Sequence, residues 1–482
     1  EILIGLVGSE MCIRDRIMRN RFLLGMMALS LIGMTSCKDE IDQFDDHGSS
    51  TIVSFAGTEK AYMGDSITFD FEVKSGGVKI NQAKVQLYYG EEMVSEAFYS
   101  LKADGKYSGK VLAPYQKNTP DGEAKVILRI QNERFSNDSK EMTVAIERPK
   151  YQTLKLVAAN GKEYTMTPVP GKEYEYKARE AFPLDMEASI VAPAYSDGTG
   201  NPYLQGNELK FGMDNGKIVL NATKNIGFEN TGYGEDGKYE ITFNTLTFEG
   251  SPFPKFGVRF DTQNKFLEFD GSGNVFYIET EFKKDDIIKI SGVKEEYADY
   301  WKNPTWFDLV KEDETLLHFR GRDGKYKLTL NKGMNAIMME QLEKASSSST
   351  QNATAMWVIG NDKIGFPSYA QNNINWNTDK AFNLVPLTDT KYELILLVGQ
   401  NVNGVNFKFF GQKGWGLEWK GPGAYTAKEG GDYIKYASDG NFNANATWPS
   451  GKYMVMTVET STSPNELWVK ALDELPSYEM GE

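Results

Sequence analysis

From residue 51 onward, apolar and polar residues alternate with a period of two over short runs. Ser66-Ile67-Thr68-Phe69-Asp70-Phe71-Glu72-Val73 alternates cleanly, as a strand with one buried face requires. Runs at 83–88, 93–99, 124–131 and 142–146 repeat the style, separated by turn signals such as Ser75-Gly76-Gly77 and Ala103-Asp104-Gly105. The pattern predicts about seven short strands in about a hundred residues, an immunoglobulin-like sandwich over 51–148. Arg148-Pro149-Lys150 marks a boundary. Strand runs at 152–157, 174–177, 217–222, 239–248, 256–260, 275–282 and 287–290 then predict a larger, loop-rich β-sandwich over 149–344. The polar run Ala345-Ser346-Ser347-Ser348-Ser349-Thr350 reads as a linker at 345–351, with a last sandwich over 352–482. The expected class is all-β, built of tandem β-sandwich modules.

A short phrase recurs along these runs. Asp104-Gly105-Lys106-Tyr107, Asp236-Gly237-Lys238-Tyr239, Asp323-Gly324-Lys325-Tyr326 and Ser450-Gly451-Lys452-Tyr453 each lead into an alternating run. A glycine-containing turn feeds a strand whose tyrosine opens the apolar face. The spacing is too irregular for a solenoid and suggests related hairpins. The last two copies are the most alike, each followed by one final strand, at 336–339 and 466–469.

The N-terminus departs from this pattern. Met18 is followed by Arg19 and Arg21, then by an apolar run over 22–34 too short to span a bilayer. Met34-Thr35-Ser36-Cys37 ends it with small residues before a cysteine. This resembles a bacterial lipobox, so residues 18–36 read as a lipoprotein signal peptide and Cys37 as the acylated residue. No other cysteine follows Cys37, which leaves it without a disulfide partner in the mature chain. Residues 37–50 read as a lipidated tether, and residues 1–17 as a non-native lead excluded from fold reasoning.

Charge and rare residues narrow the function. The net charge of −14, with no offsetting basic tract, argues against nucleic acid and against charge-driven membrane binding. Of two histidines, His47 lies in the tether and His318 in the strand-like run Leu316-Leu317-His318-Phe319. A Ser-His-Asp triad, a Cys-His dyad and a multi-histidine metal site are therefore not expected. Asp270-Gly271-Ser272-Gly273-Asn274 lacks the later glutamate of a calcium loop and reads as a turn. No metal or cofactor is expected.

All eight tryptophans lie after residue 300. Trp357 and Trp468 sit inside strand patterns and read as core. Trp301 and Trp306 read equally as glycan contacts or as a clasp between modules. Trp376, Trp415, Trp419 and Trp448 lie among Gly, Asn, Pro and Lys, and are expected to be exposed on loops. The richest stretch runs from Phe407-Lys408-Phe409-Phe410 into Gly411-Gln412-Lys413-Gly414-Trp415-Gly416-Leu417-Glu418-Trp419-Lys420. Sugars carry apolar C–H faces ringed by hydroxyls. A protein holds them with an aromatic ring under the face and amides, lysines or acids at the rim. Trp415, Trp419, Trp376 and Trp448, with Gln412, Lys413 and Lys420, are the candidate glycan contacts.

At these residues the chain resembles the Bacteroidetes starch-utilisation outer-membrane lipoproteins SusE and SusF. The resemblance rests on Val358-Ile359-Gly360-Asn361, on Phe407-Lys408-Phe409 with Lys413-Gly414-Trp415-Gly416, on Gly451-Lys452-Tyr453, and on the acylated cysteine. It covers residues 352–470 and the lipoprotein start, is architectural over 51–148 and weak over 149–344. It implies carbohydrate-binding-module-like sandwiches behind an N-terminal immunoglobulin-like domain. It also implies a lipid anchor in the outer membrane facing the cell exterior. The implied role is non-catalytic binding of a polysaccharide or oligosaccharide, an α-glucan among the candidates, beside an outer-membrane transporter complex. Lys38-Asp39-Glu40 after the cysteine resembles the surface-export signal of such lipoproteins.

Two other readings remain open. A structural or adhesive surface protein would use the same exposed aromatics to bind a protein partner. A glycoside hydrolase would need two carboxylates across one cleft. Glu418, Asp432 and Asp439 lie near the tryptophans, but no motif selects a pair.

Overall fold

The computed structural model describes residues 48–194, 208–293, 298–343, 354–366, 372–419, 424–436, 440–444 and 446–480. The stretches read as a signal peptide (18–36), an acylated Cys37 and a linker (345–351) lie outside these residues, as do residues 38–47 and Lys420. Residues 48–50, expected to end a flexible tether, instead pack on the first module: Ser50 is buried, donates to the Ser75 carbonyl at 3.1 Å and accepts from Asn132 Nδ2 at 3.0 Å. The described chain is all-β, in tandem β-sandwich modules, with no α-helix among the described residues.

In the first module, Thr51–Gly57, Ser66–Lys74 and Gly105–Leu112 form a three-stranded sheet. Opposite lies a five-stranded sheet in the order Lys60–Tyr62, Asn137–Glu147, Gly122–Asn132, Ile80–Tyr89, Glu92–Ser100. The alternation in Ser66–Lys74 does what it predicts: Ile67, Phe69, Phe71 and Val73 are buried and the residues between them face out. Tyr107, from the first Gly-Lys-Tyr phrase, stacks on Phe71.

The stretch read as one larger sandwich holds two sheet systems. The first is a nine-stranded sheet folded over on itself. Its corner is Glu163–Pro168: residues 163–166 pair with Leu154–Ala158, whereas Thr167 and Pro168 pair with Glu175–Glu180. The second is a separate sandwich of two five-stranded sheets over residues 257–341. Asp270–Ser272 and Val275–Phe282 form a hairpin there, with Gly273 in left-handed conformation at its turn.

The last module, over residues 357–472, repeats the ten-strand topology of the 257–341 sandwich. In both, the fourth, ninth and tenth strands run side by side in one sheet, and an edge strand lies parallel to the final one. That edge is Trp301–Lys302 beside Ala336–Gln341 in the third module and Tyr425–Glu429 beside Asn465–Leu472 in the fourth. The two most similar Gly-Lys-Tyr phrases open equivalent strands, Gly324–Asn331 and Tyr453–Glu459. The fourth module differs by an insertion after its first strand. Asp261–Asn264 makes a short turn in the third module, where residues 361–381 carry a two-stranded hairpin and a 3-10 turn in the fourth.

The modules are joined by polar networks with buried members. Between the first two, the wholly buried Arg148 donates to the carbonyls of Thr119 (2.8 Å), Thr245 (2.9 Å) and Gln116, and its guanidinium lies on the Tyr115 ring at 4.4 Å. Between the second and third, Arg259 forms a fork to Asp185 (2.7 and 3.1 Å) and pairs with Asp261 at 2.5 Å. Lys289 joins Asp185 and Glu229 at 2.6 and 3.2 Å. Between the third and fourth, Thr305 Oγ accepts from Ile395 N–H (3.0 Å), and Arg320 pairs with Glu393 at 2.5 Å. The chain end crosses back onto the third module, where Tyr478 stacks on His318 at 3.7 Å. His318 is buried with its ring nitrogens 3.0 Å from Asp308 and Asp285, the structural place expected of it.

The Asp185 network gives the second joint an acid sensitivity. Burial pushes the Asp185 carboxyl up, but hydrogen bonds and charge from Arg259 and Lys289 outweigh it and hold the group below the usual carboxylate range. A depressed folded value means the stabilisation is present above the unfolded value, about 3.9, and is lost as pH falls through the folded one. The loss of melting temperature on going from pH 7 to pH 3 should therefore shrink in Asp185→Asn. An equal loss in both proteins would show that this carboxylate does not govern the joint.

Candidate functional site

The site is built from two loops that the fourth module elaborates and one sheet face of the third. After Asn406–Phe410 the chain leaves the sheet and returns, with Gly411 N–H on the Leu417 carbonyl (2.9 Å) and Trp419 N–H on that of Phe409 (3.1 Å). This return decides which ring faces water. Trp415, at the tip, is 59% exposed and stands edge-on to Phe410, with centroids 5.6 Å apart. Gln412 Nε2 donates to the Trp415 carbonyl at 2.8 Å and pins the tip. Gly416 is left-handed, and a Cβ there would sit 2.9 Å from that same Nε2, so the position needs glycine.

Trp419 corrects the sequence expectation. It is 0% exposed, because the loop's return lays it back beside Phe409 in the core. Trp448 is likewise buried, at 2%. Residues 402 and 448 pair as an antiparallel bridge, and the indole N–H reaches the Tyr433 carbonyl at 3.2 Å. Trp376 is half-buried against the same core, left-handed, with its N–H on the Gly360 carbonyl at 2.7 Å. Trp357 is buried and Trp468 half-buried. Trp306 is wholly buried among Phe319 and Tyr326, and Trp301 packs from the third module against the core of the fourth. Of the four proposed platform rings, only Trp415 among the described residues presents most of its surface to solvent.

Lys413 points to what lies beside it. Its Nζ is 2.8 Å from Glu340 of the third module, and the pair stands at the wall of a cleft of about 250 Å³ between the third and fourth modules. Asn331 and Thr329 line the third-module side; Asn372, Asp379 and Lys380 line the other. The last three come from the 361–381 insertion. Asn377 caps its 3-10 turn by accepting from Asp379 N–H at 2.9 Å, which fixes Asp379 and Lys380 at the cleft. Sequence reading missed Glu340, Asn331, Asp379 and Lys380. They come from distant segments, and only the density of Asn and Asp in the insertion hinted at a polar surface.

The arrangement places one exposed indole two residues from a cleft whose walls carry amides, carboxylates and ammonium groups together with apolar side chains such as Met338, Leu394 and Leu396. That chemistry holds a hydroxylated ligand by stacking and rim hydrogen bonds. Glu418, one of the acids near the tryptophans, is paired with Lys408 at the base of the loop. Asp432 is exposed, and Asp439 lies outside the described residues.

Two family models match the chain, both described as domains of unknown function: DUF5016 over residues 18–139 and DUF5125 over residues 141–346. No curated protein matches. Among solved structures, murine CRIg matches at 11% identity and TM-score 0.16, over 21% of this chain and all of its own. The sporulation control protein Spo0M of Bacillus subtilis matches at 11% and 0.17, over 41% of this chain and 91% of that one. A bacterial ice-binding adhesin matches at 6% and 0.16, over 88% and 97%. At such TM-scores these likenesses carry no weight for function. The chain is thus similar, across its first three modules, to two domain families without an assigned role.

Proposed function

We propose that this is a non-catalytic surface lipoprotein that binds polysaccharide through Trp415 and the adjoining inter-module cleft. In this reading it is a SusE/SusF-like protein, anchored in the outer membrane through acylated Cys37 and facing outward. It concentrates glycan, with α-glucan as the candidate its family resemblance supplies, for a neighbouring transporter complex. The observation that carries the reading is Trp415 itself. A large ring is held in water by a pinned loop, two residues from Lys413 at the wall of the inter-module cleft, whereas Trp419 four residues on is buried in the protein's own core.

Affinity electrophoresis of residues 38–482 through gels containing soluble polysaccharides tests this. Trp415→Ala should leave the melting temperature unchanged and weaken retention. A stacking contribution of about 0.5–1.5 kcal/mol corresponds to roughly a 2- to 12-fold rise in apparent Kd. Equal retention of the two proteins on every retarding polysaccharide would remove Trp415 from the site.

A further inference from the structure

We propose that the outer face of the five-stranded sheet in the first module is a second carbohydrate-binding surface, which takes a neutral oligosaccharide between Phe98 and Phe135. The proposal takes its ligand class from the glycan reading above but rests on separate residues.

Cross-strand register assembles the face. Ser100, Gln82, Gln131 and Asn137 lie in one row across four strands, and Phe98, Lys84, Arg129 and Ser139 lie in the next. Their neighbours in sequence, Ala83, Val85, Leu128 and Ile130, are buried, so these rows point outward. Four strands at about 4.8 Å spacing make a platform about 14 Å wide. Two aromatic rings stand on it where the pleat offers no cover. Phe98 is 53% exposed on the edge strand and Phe135 is 78% exposed at the tip of the hairpin joining Gly122–Asn132 to Asn137–Glu147. Between Phe135 and the sheet face is a groove of about 620 Å³, lined by Asn81, Gln82, Arg129, Gln131 and Asn137; Lys84 also lines it, as do Glu133, which pairs with Lys79, and Asp138, which accepts from Ile52 N–H at 2.8 Å.

The tip is built to hold its ring out. Phe135 has a left-handed backbone (φ 65°), which a bulky residue adopts only when its surroundings impose it. Asn132 imposes it: the residue is buried, its Oδ1 accepts from the N–H groups of Arg134 (3.0 Å) and Ser136 (2.9 Å), and its Nδ2 donates to Ser50 (3.0 Å). A loose loop would let the phenylalanine fold onto the sheet. This one presents the ring preorganised, which lowers the ordering cost of binding.

The chemistry between the rings selects the ligand class. Lys84 is neutralised by Glu96 at 2.8 Å, and its ammonium lies over the Phe98 ring. The side chains of Asn81, Gln82, Arg129, Gln131 and Asn137 have no hydrogen-bond partner among the described residues. The face thus offers two separated apolar plates with planar amide and guanidinium groups between them. A protein partner is anchored by a contiguous apolar centre. A sugar chain presents apolar C–H faces with hydroxyls between them, which suits separated apolar plates with amides between.

The test uses the chain from residue 38 in four forms: unmodified, Trp415→Ala, Phe98→Ala with Phe135→Ala, and all three changes together. Each is run through gels containing starch, β-glucan, galactomannan or pectin. Both phenylalanines are exposed, so the double variant should melt with the unmodified protein. We expect at least a threefold rise in apparent Kd for the double variant on the retarding polysaccharide, and loss of retention when all three rings are gone. A double variant that migrates like the unmodified protein in every gel, while Trp415→Ala loses retention, overturns the second surface and leaves the first reading standing. Retention lost in the double variant but kept in Trp415→Ala does the reverse. No retardation of the unmodified protein in any gel removes both.

Discussion

Arg259→Met is expected to destabilise the paired second and third modules by about 3–5 kcal/mol, the range for removing one member of a buried ion pair. The guanidinium is 1% exposed and serves two carboxylates from different modules, Asp185 and Asp261. Methionine keeps most of the volume, so the loss is electrostatic: Asp261 is left without its partner, and Asp185 retains only Lys289. Because the chain is modular, its unfolding is not a single two-state step. The measurement is the urea or thermal transition that reports residues 154–341, which should move down while that of the fourth module stays. Replacing Asp261 by Asn in the same protein should recover part of the loss, because it removes the stranded charge. A transition unmoved by Arg259→Met would mean that apolar packing, not the ion network, holds this joint.

Trp419→Ala should be equally costly, by a different mechanism. The indole is wholly buried in the fourth module's core, and truncating a buried tryptophan removes its transfer energy and leaves a cavity, typically about 3–5 kcal/mol. Any loss of glycan retention in this variant would follow from unfolding and would not place the ring at the ligand. Trp415→Ala supplies the contrast, since an exposed ring at a pinned tip contributes little to the core. Melting curves of the two variants separate the roles. If Trp419→Ala melts with the unmodified protein, the loop's return does not bury this ring in the core in solution.

The strands were legible in the chain because their signal is local. In Ser66–Lys74 the apolar positions recur every second residue, and one sheet face must be dry whichever sheet it joins. The glycine turns before Tyr326 and Tyr453 were legible for the same reason, and they mark equivalent strands of two modules with one topology. What stayed hidden was the division of residues 149–344. The corner at Glu163–Pro168, where one strand changes partners midway, has no distinct local pattern. Nor does the 257–341 sandwich announce its likeness to the last module, since matching topologies need share only the positions that face inward.

The tryptophans show the limit most clearly. Trp415 and Trp419 stand in one glycine-rich stretch with lysines nearby, and composition treats them alike. Their fates diverge because two backbone hydrogen bonds, from Gly411 to Leu417 and from Trp419 to Phe409, fold the second back along the sheet and leave the first at the tip. In the first module the polarity of Gln82, Gln131 and Asn137 was readable one strand at a time. Only cross-strand register places them in one row with Phe98 and Phe135 near its ends. Sequence by itself determined the all-β class, the alternation of each long strand and the turns that punctuate them, because these depend on neighbours a few residues away. Tertiary structure decided which aromatic rings meet water and which polar side chains share a cleft, because both depend on partners that the chain brings together from tens of residues apart.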